Sequence, residues 1–352
     1  MQPSTRNRQP VLGFLTAYVP EELFHAAGFT PMFLFHTSED RGRARAHLPS
    51  FTCWVAGSAL DRALAGELDD LAGMALASTC DTMQGLSDLW QRNAPHIPLF
   101  HFGMPQRLDG PAARAYLLAE LDSLRERVQA QTGRSISDDA VRDSIGLYNR
   151  ARVQVRQVYA HAADFAPPDL YAYVRAVLTS APLLPRPPAP LGEVSDRCPA
   201  PLLLLVGPAL ADPVLFDIIA GAGARVCGDL LDLGERYFAV DAAEEGDPLA
   251  ALADRLLGLP PGGGTVGGTP TPTKYHPQYT RAAHLLSLIQ ERGAQGVIFA
   301  RQKFCDPHGF DYVQLAHALD GTGTPHLLIE LEQASQAGQL RTRVEAFVEM
   351  VA

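Results

Sequence analysis

The stretch Gly296-Val-Ile-Phe-Ala-Arg-Gln-Lys-Phe-Cys-Asp-Pro-His-Gly-Phe-Asp311 joins a short apolar run to a loop that carries Cys305. The run from Gly296 to Ala300 has the length and β-branched content of a buried strand, and it follows an amphipathic helix pattern from His284 to Arg292. In open α/β sheets, ligands bind outside the carboxyl ends of the strands. The stretch therefore predicts an α/β fold with Cys305 at the ligand-binding edge of a sheet.

A second stretch repeats this arrangement. Met74-Ala-Leu-Ala-Ser78 is typical of a strand, and a turn through Cys80 and Asp81 leads into a helix from Met83 to Gln91. An isolated cysteine is usually a small hydrophobic residue that fills space in a core. Two Cys-Asp turns at equivalent strand ends favour a shared chemical role instead.

The pattern of strands and helices predicts two α/β domains. The chain has 352 residues, which is enough for two domains with separate cores. We predict an N-terminal α/β domain at 1–110, a helical subdomain at 111–180, a proline-rich linker at 181–200 and a C-terminal α/β domain at 201–352. The expected fold class is α/β, with two open parallel-sheet domains of the Rossmann or flavodoxin type and an inserted helical subdomain.

Composition excludes several classes of protein. The formal charge of −10, with no basic run, argues against a general nucleic-acid-binding protein. No stretch reaches the ~20 apolar residues that a membrane span needs. Val11 to Val19 follows two arginines, but it runs into Pro20 without a cleavage site, so we interpret it as the first strand and not as a signal peptide. A soluble, cytoplasmic protein is expected.

Four motifs, in this order along the chain, resemble the 2-hydroxyacyl-CoA dehydratase family, which includes the catalytic subunits of ATP-dependent benzoyl-CoA reductase. The resemblance runs from about Gly13 to the C-terminus. The motifs are Tyr18-Val-Pro-Glu-Glu-Leu23 with Ala26-Ala-Gly28, Ser78-Thr-Cys-Asp-Thr-Met83, Phe304-Cys-Asp-Pro307, and Gly338-Gln-Leu-Arg-Thr-Arg-Val-Glu-Ala-Phe347.

The resemblance implies that Cys53, Cys80 and Cys305 bind a [4Fe-4S] cluster. Each lies in a loop close to a strand end or a helix start, where positive potential lowers the pKa of a thiol. Three thiolates leave one iron open for a substrate oxygen. The five cysteines of the chain form no C-x-x-C pair, so a zinc ribbon and a thioredoxin-like dithiol are not expected.

By resemblance, the chain is an iron–sulfur subunit that eliminates water from a 2-hydroxyacyl-CoA through a ketyl radical. A separate ATP-hydrolysing iron–sulfur activator would supply one electron, which is recovered at the end of the cycle. A second, homologous subunit or a second copy would complete a dimer. The glycine-rich segment from Pro260 to Thr273 lacks a phosphate-binding P-loop motif, which agrees with a separate activator.

Glu22 is the predicted catalytic base. It lies in the first turn of a helix that starts near Pro20, and the family match P-x-E-L favours it over Glu21 as the inward carboxylate. Adjacent residues on a helix point about 100° apart, so we expect one carboxylate to face the cluster and the other to face solvent. Simple stabilisation of the helix start is the alternative role for both.

Other assignments stay open at this point. The chain could be a benzoyl-CoA reductase-type subunit, or a non-catalytic subunit that carries a cluster for a partner. Cys227 lies in the middle of a predicted strand and is interpreted as a buried structural thiol, while the role of Cys198 in the linker is open. Lys274, whose position would suit a coenzyme A phosphate, is by default a solvated surface charge.

Overall fold

The chain forms two parallel β-sheets of four strands each, with helices around them. This description rests on a computed structural model, which describes residues 9–36, 42–180, 186–190, 200–261, 270–276, 280–331 and 337–352. The predicted α/β class with two open parallel sheets is confirmed. Most of the predicted proline-rich linker and of the glycine-rich segment lies outside the described residues, and so does Cys198.

The two sheets share one strand order. In the first sheet the order is β2-β1-β3-β4, and in the second it is β6-β5-β7-β8, with every neighbouring pair parallel. In both sheets the second strand is added on one side of the first strand, and the later strands on the other side. Open α/β sheets bind ligands at the point where the strand order reverses in this way. The strands are β1 (Val11–Phe14), β2 (Thr30–Phe33), β3 (Gly73–Ala77), β4 (Leu99–Phe102), β5 (Leu202–Gly207), β6 (Arg225–Leu231), β7 (Gly296–Gln302) and β8 (His326–Leu331).

Eleven α-helices connect and cover these strands in the described part of the chain. None of them is both long enough and apolar enough to cross a membrane. The helices are α1 (Glu21–Ala26), α2 (Trp54–Leu64), α3 (Asp81–Asn93), α4 (Gly110–Thr132), α5 (Asp138–Tyr159), α6 (Pro167–Ser180), α7 (Val214–Gly221), α8 (Pro248–Leu256), α9 (Arg281–Arg292), α10 (Asp306–Thr322) and α11 (Ala337–Val351).

Helices α4, α5 and α6 occupy the region predicted to be helical. Ser137 caps α5 by accepting a hydrogen bond from the Ala140 amide at 3.2 Å, and two aspartates follow it in the first turn, as the N-cap pattern predicts. Helix α5 packs against α1 of the first half and against α8 of the second. One hydrophobic core contains residues from both halves. The exact domain boundaries stay predictions.

The first strand is shorter than predicted. It ends at Phe14, whereas the apolar run suggested Val11 to Val19. Tyr18 has a φ of 72°, a left-handed conformation that cannot continue a strand. The run is apolar because all of it is buried, from the strand to the start of α1, and not because all of it belongs to the sheet.

A direct contact joins the C-terminal edges of the two sheets. Gln302, the last residue of β7, has its side-chain nitrogen 3.1 Å from Nε2 of His36, which follows β2. Burial lowers the pKa of His36 to about 4, so its ring is neutral and can accept this hydrogen bond. The loops that follow the strands of both sheets therefore meet in one region between the halves.

Candidate functional site

Cys53, Cys80 and Cys305 each lie immediately before the first residue of a helix. They precede α2, α3 and α10 respectively. Strands β3 and β7, which lead to Cys80 and Cys305, hold equivalent positions in two sheets of the same order. The prediction that the two Cys-Asp turns lie at equivalent strand ends is thus confirmed.

The three thiols are close enough to affect one another. Burial raises the pKa of Cys53 to about 11, with a further contribution from the thiol of Cys80. Burial also raises the pKa of Cys305 well above its ordinary value, and the thiols of both Cys53 and Cys80 add to the increase. The fold therefore gathers three cysteines, from both halves of the chain, at the meeting point of the two sheets.

The helix starts act against this effect of burial. Burial raises the pKa of all three thiols, while backbone N–H groups in the first turn of each helix lower it by stabilising a negative charge. The amides that lower the pKa are those of Val55 and Ala56 for Cys53, Thr82 and Met83 for Cys80, and His308 for Cys305. None of the three thiols makes a full side-chain capping hydrogen bond.

A strained turn sets the position of Cys305. Phe304 has a φ of 63°, which is unusual for a bulky residue and costs about 1–3 kcal/mol. The turn closes with a hydrogen bond of 3.0 Å from the Cys305 amide to the Gln302 carbonyl. This geometry ends β7 and begins α10 within three residues, so Cys305 is held at the helix start.

A cavity of about 480 Å³ opens beside Cys53. Its wall includes Arg45 and Trp54 from the first half of the chain, and Lys303 and Phe304 from the second. This volume lies within the range of pockets that bind small organic ligands. The wall also contains one carboxylate, Asp61, so two cations against one anion leave an excess of one positive charge, which suits an anionic ligand.

The three cysteines supply the type of ligand that iron–sulfur clusters use. In the described part of the chain, no three His, Cys, Asp or Glu side chains converge closely enough to hold one ion. A cluster makes a different demand, because each thiolate binds a different iron and the ligands stand around the cluster. Cys53, Cys80 and Cys305 are all free, and each has a helix start beside it to stabilise the thiolate form.

Lys274 is buried near Cys80 and is not the solvated charge that the sequence suggested. Its ammonium group donates a hydrogen bond of 3.0 Å to the carbonyl of Ser78, two residues before Cys80. Burial lowers the pKa of Lys274 to about 8, while the Cys80 thiol acts to raise it. Lys274 therefore brings a buried cation to the side of the cysteine site.

Glu21 and Glu22 are both buried, so the prediction that one of them faces solvent is wrong. Glu22 accepts a hydrogen bond of 2.7 Å from Arg152, and the Nε atom of Arg255 lies 3.7 Å from the same oxygen. Burial alone would raise the pKa of Glu22, but Arg255 and Arg152 hold it below its ordinary value. Helix α1 can bury both carboxylates because α5 and α8 supply cations on one side.

The pKa of the neighbouring residue, Glu21, is shifted in the opposite direction. Burial raises the pKa of Glu21 to about 7, although the hydroxyl of Tyr237 donates a hydrogen bond to it. A base with a pKa raised toward neutrality was expected at Glu22, and Glu21 is the residue that has this property. The catalytic role of either residue stays a prediction.

Comparison with known proteins places the chain in a family. The sequence model described as "2-hydroxyglutaryl-CoA dehydratase, D-component" matches residues 16–351, a range that contains Cys53, Cys80 and Cys305. The chain belongs to this family. The resemblance seen in the sequence motifs is thereby confirmed.

Curated relatives match the chain over nearly its whole length. The lactoyl-CoA dehydratase subunit beta of Anaerotignum propionicum is 29% identical over 97% of this chain and 91% of its own. The (R)-2-hydroxyglutaryl-CoA dehydratase subunit beta of Acidaminococcus fermentans is 29% identical over 96% of this chain and 91% of its own. One subunit of the benzoyl-CoA reductase of Thauera aromatica is 27% identical over 94% of this chain and 87% of its own.

Cys227 stands apart from the cysteine site in this member of the dehydratase family. It lies within β6, is 3% exposed, and has its sulfur 3.4 Å from the carbonyl oxygen of Leu203 on the neighbouring strand. Its interpretation as a buried structural thiol is confirmed.

Sequence reasoning missed the buried cations of this dehydratase-family chain. Arg152 and Arg255 lie on α5 and α8, far along the sequence from the carboxylate that they contact. An arginine among apolar residues on an amphipathic helix was the available signal. Its partner could not be read from local sequence.

Proposed function

We propose that this chain is the iron–sulfur subunit of a 2-hydroxyacyl-CoA dehydratase-type enzyme, with Cys53, Cys80 and Cys305 as ligands of a [4Fe-4S] cluster. The observation that carries the proposal is that these three free thiols each stand at a helix start and affect one another's pKa, beside a cavity of about 480 Å³ that Cys53 lines. Membership of the dehydratase family supports the same reaction class.

The reaction proposed is the removal of water from a 2-hydroxyacyl-CoA through a ketyl radical. When bound, a cluster held by three thiolates supplies one iron with an open position and passes single electrons. The chain itself holds the three sulfurs at the positive ends of three helices; Cys53 is buried, at 7% exposed, and Cys80 and Cys305 are half-buried. The cavity next to Cys53, with Arg45 and Lys303 in its wall, is the proposed entrance for the acyl-CoA.

The proposed base is a carboxyl group of α1. Glu22 is proposed as a site residue because its carboxylate neutralises Arg152 and Arg255. Glu21 has the pKa, about 7, that suits exchange of a proton near neutral pH. Replacing each with glutamine separately distinguishes the two, provided that iron content and the folded fraction are verified, because Glu22 also holds a buried ion pair. Loss of turnover only in folded Glu21→Gln supports Glu21 as the base, and loss only in folded Glu22→Gln supports Glu22.

The proposed enzyme includes a second subunit and an ATP-hydrolysing activator. The relatives are named as subunits, two of them as subunit beta, which supports a partner for this chain. The chain alone should therefore hydrolyse no ATP and should turn over acyl-CoA only with its partner and activator. Robust ATP hydrolysis by the purified chain would contradict this scheme. A cytoplasmic location stays a prediction.

Iron analysis tests the central proposal. Anaerobically purified protein should carry about four irons and four sulfides per chain. Serine at Cys53, Cys80 or Cys305 should greatly reduce this content, whereas Cys227→Ser, the matched control within β6, should retain it. Full iron retention by Cys80→Ser or Cys305→Ser would refute the assignment.

One relative supports a second candidate function. The similarity to a benzoyl-CoA reductase favours electron delivery to an aromatic acyl-CoA as the alternative. Consumption of benzoyl-CoA, but of no 2-hydroxyacyl-CoA, by the complex with its activator would identify this function. A cluster-loaded chain that binds neither ester would instead be a non-catalytic carrier subunit.

A further inference from the structure

A second, smaller pocket lies away from Cys53 and has two arginines in its wall. Arg236 and Arg255 line it together with Tyr18 and Tyr237, and its volume is about 40 Å³. Each guanidinium lies over one of these rings, Arg236 at 5.6 Å from the centre of Tyr18 and Arg255 at 5.5 Å from that of Tyr237. Two rigid cation–aromatic pairs therefore face a common space.

The guanidinium group of Arg255 has one N–H donor that is not satisfied in the described part of the chain. Arg255 is 7% exposed, and its Nε atom has no hydrogen-bond partner within the described part of the chain. An oxygen of Glu22 lies 3.7 Å from this atom but accepts its hydrogen bond from Arg152 instead. A buried donor without an acceptor is costly, so an anion that entered the pocket would gain a charge-assisted hydrogen bond.

The backbone around the pocket is held in an unusual conformation. Tyr18 has a φ of 72°, and its hydroxyl accepts a hydrogen bond of 2.9 Å from the amide of Thr271. Such strain in a bulky residue persists only where the surroundings enforce it, and it is concentrated at functional sites. The hydrogen bond from Thr271 fixes the hydroxyl end of the Tyr18 ring, and Arg236 lies over that ring.

Size limits what the pocket can hold. A pocket of about 40 Å³ has room for about three water molecules or for one compact oxyanion group. It is too small for an acyl chain or a nucleotide. Guanidinium groups recognise carboxylates and phosphates through paired N–H donors.

We propose that this pocket binds one oxyanion group, a carboxylate or a phosphate, of the ligand whose thioester lies at the cysteine site. The identity of that ligand rests on the proposed function, whereas the binding of an oxyanion does not. One segment connects the two places: Pro270 borders the pocket, and Lys274 contacts Ser78 beside Cys80. Between them the chain makes a turn, closed by a hydrogen bond of 3.0 Å from the Lys274 amide to the Thr271 carbonyl. Even fully extended, four residues would reach only about 14 Å, so the two places lie within the length of one coenzyme A ester.

Thermal unfolding of the complete, cluster-loaded chain tests the pocket without any coenzyme A. Inorganic phosphate or glutarate at about 100 times its Kd, against chloride at equal ionic strength, should raise the Tm by about 3–4 °C. Arg236→Met should lose this increase, and Arg236→Lys should keep part of it. Arg341→Met, which removes an exposed arginine on α11, should respond like the parent. Arg236 is the better site for substitution, because Arg255 also pairs with Glu22 and its loss could unfold the protein.

Binding of coenzyme A derivatives then identifies the source of the oxyanion. If it is an acyl carboxylate, glutaryl-CoA should bind the parent at least about tenfold more tightly than butyryl-CoA, and Arg236→Met should abolish the difference. If it is a phosphate, coenzyme A should show the same advantage over its form without the 3′-phosphate.

Two results would overturn the proposal. One is an equal Tm response in Arg236→Met and the parent, and the other is no response of the parent to either anion. A parent that responds to the anions but binds no coenzyme A ester supports the pocket and contradicts the proposed function instead.

Discussion

Tyr237 donates a hydrogen bond to the buried carboxyl group of Glu21, across a separation of 216 residues. The contact joins α1, in the first half of the chain, to the helical turn Glu235–Phe238 in the second. Burial dominates the behaviour of this carboxyl group and brings its pKa to about 7. A titration near neutral pH is thereby placed at the boundary between the halves.

Stability should consequently fall with pH in a way that depends on Glu21. Its pKa rises from 4.5 to about 7 on folding, so the folded state binds the extra proton between these values. The stabilisation is complete below pH 4.5 and is lost as the pH rises through 7, a change of about 3 kcal/mol. The difference in unfolding free energy between the parent and Glu21→Gln, measured in urea at pH 5 and pH 8, should change by about 2.5 kcal/mol, which is most of that amount. Glu349→Gln, at an exposed position, is the control. If the stability of Glu21→Gln depended on pH in the same way as that of the parent, Glu21 would not be the group responsible.

Loss of the Glu22 charge should be strongly destabilising. Glu22→Gln leaves Arg152 and Arg255 buried without their carboxylate, which we expect to reduce the unfolding free energy by about 3–5 kcal/mol. Asp139→Asn, which removes one member of the exposed pair with Arg142, should cost at most about 1 kcal/mol. Urea unfolding of both variants checks the contrast, and equal losses would show that the buried pairs do not behave as described.

Removal of the Lys274 charge should affect both stability and the proposed cluster. Lys274→Met deprives the Ser78 carbonyl of its donor and should cost about 1–3 kcal/mol. It also removes a cation beside Cys80, so the reduction potential of the cluster should become more negative because the added electron is less well stabilised. Lys274→Arg keeps the charge and should keep the potential. A potential that is unchanged in Lys274→Met would exclude this electrostatic role.

A side chain added at Gly57 should obstruct the cavity beside Cys53. Gly57 lies on α2 in the cavity wall, and a Cβ atom there meets nothing within 4 Å. Gly57→Leu should therefore fold normally and keep its iron, yet bind coenzyme A esters at least about tenfold more weakly. Gly85→Leu provides the control, since Gly85 on α3 has equally open space but does not line the cavity. Equal binding by the two variants would place the ester elsewhere.

The local pattern of the sequence was sufficient to predict much of the site. Apolar runs that end in Cys-Asp turns predicted Cys80 and Cys305 at equivalent strand ends, because strand length and helix starts are encoded within a few residues. The environments of Glu21 and Glu22 were not predictable in this way. Their partners Tyr237 and Arg152 are 216 and 130 residues distant, so only the assembled core determines that both carboxylates are buried and have opposite pKa shifts.

The cysteines that follow β3 and β7 are synthesised at different times, which affects when the complete cysteine site can form. Domains fold from the N-terminus as the chain emerges, so Cys53 and Cys80 are in place long before the second sheet exists. The third thiol, Cys305, becomes available only when β7 has joined that sheet. If these three thiols are the ligands of the proposed cluster, its assembly is a late step, and a chain that stops before β7 would expose two thiols to oxidation without completing that ligand set.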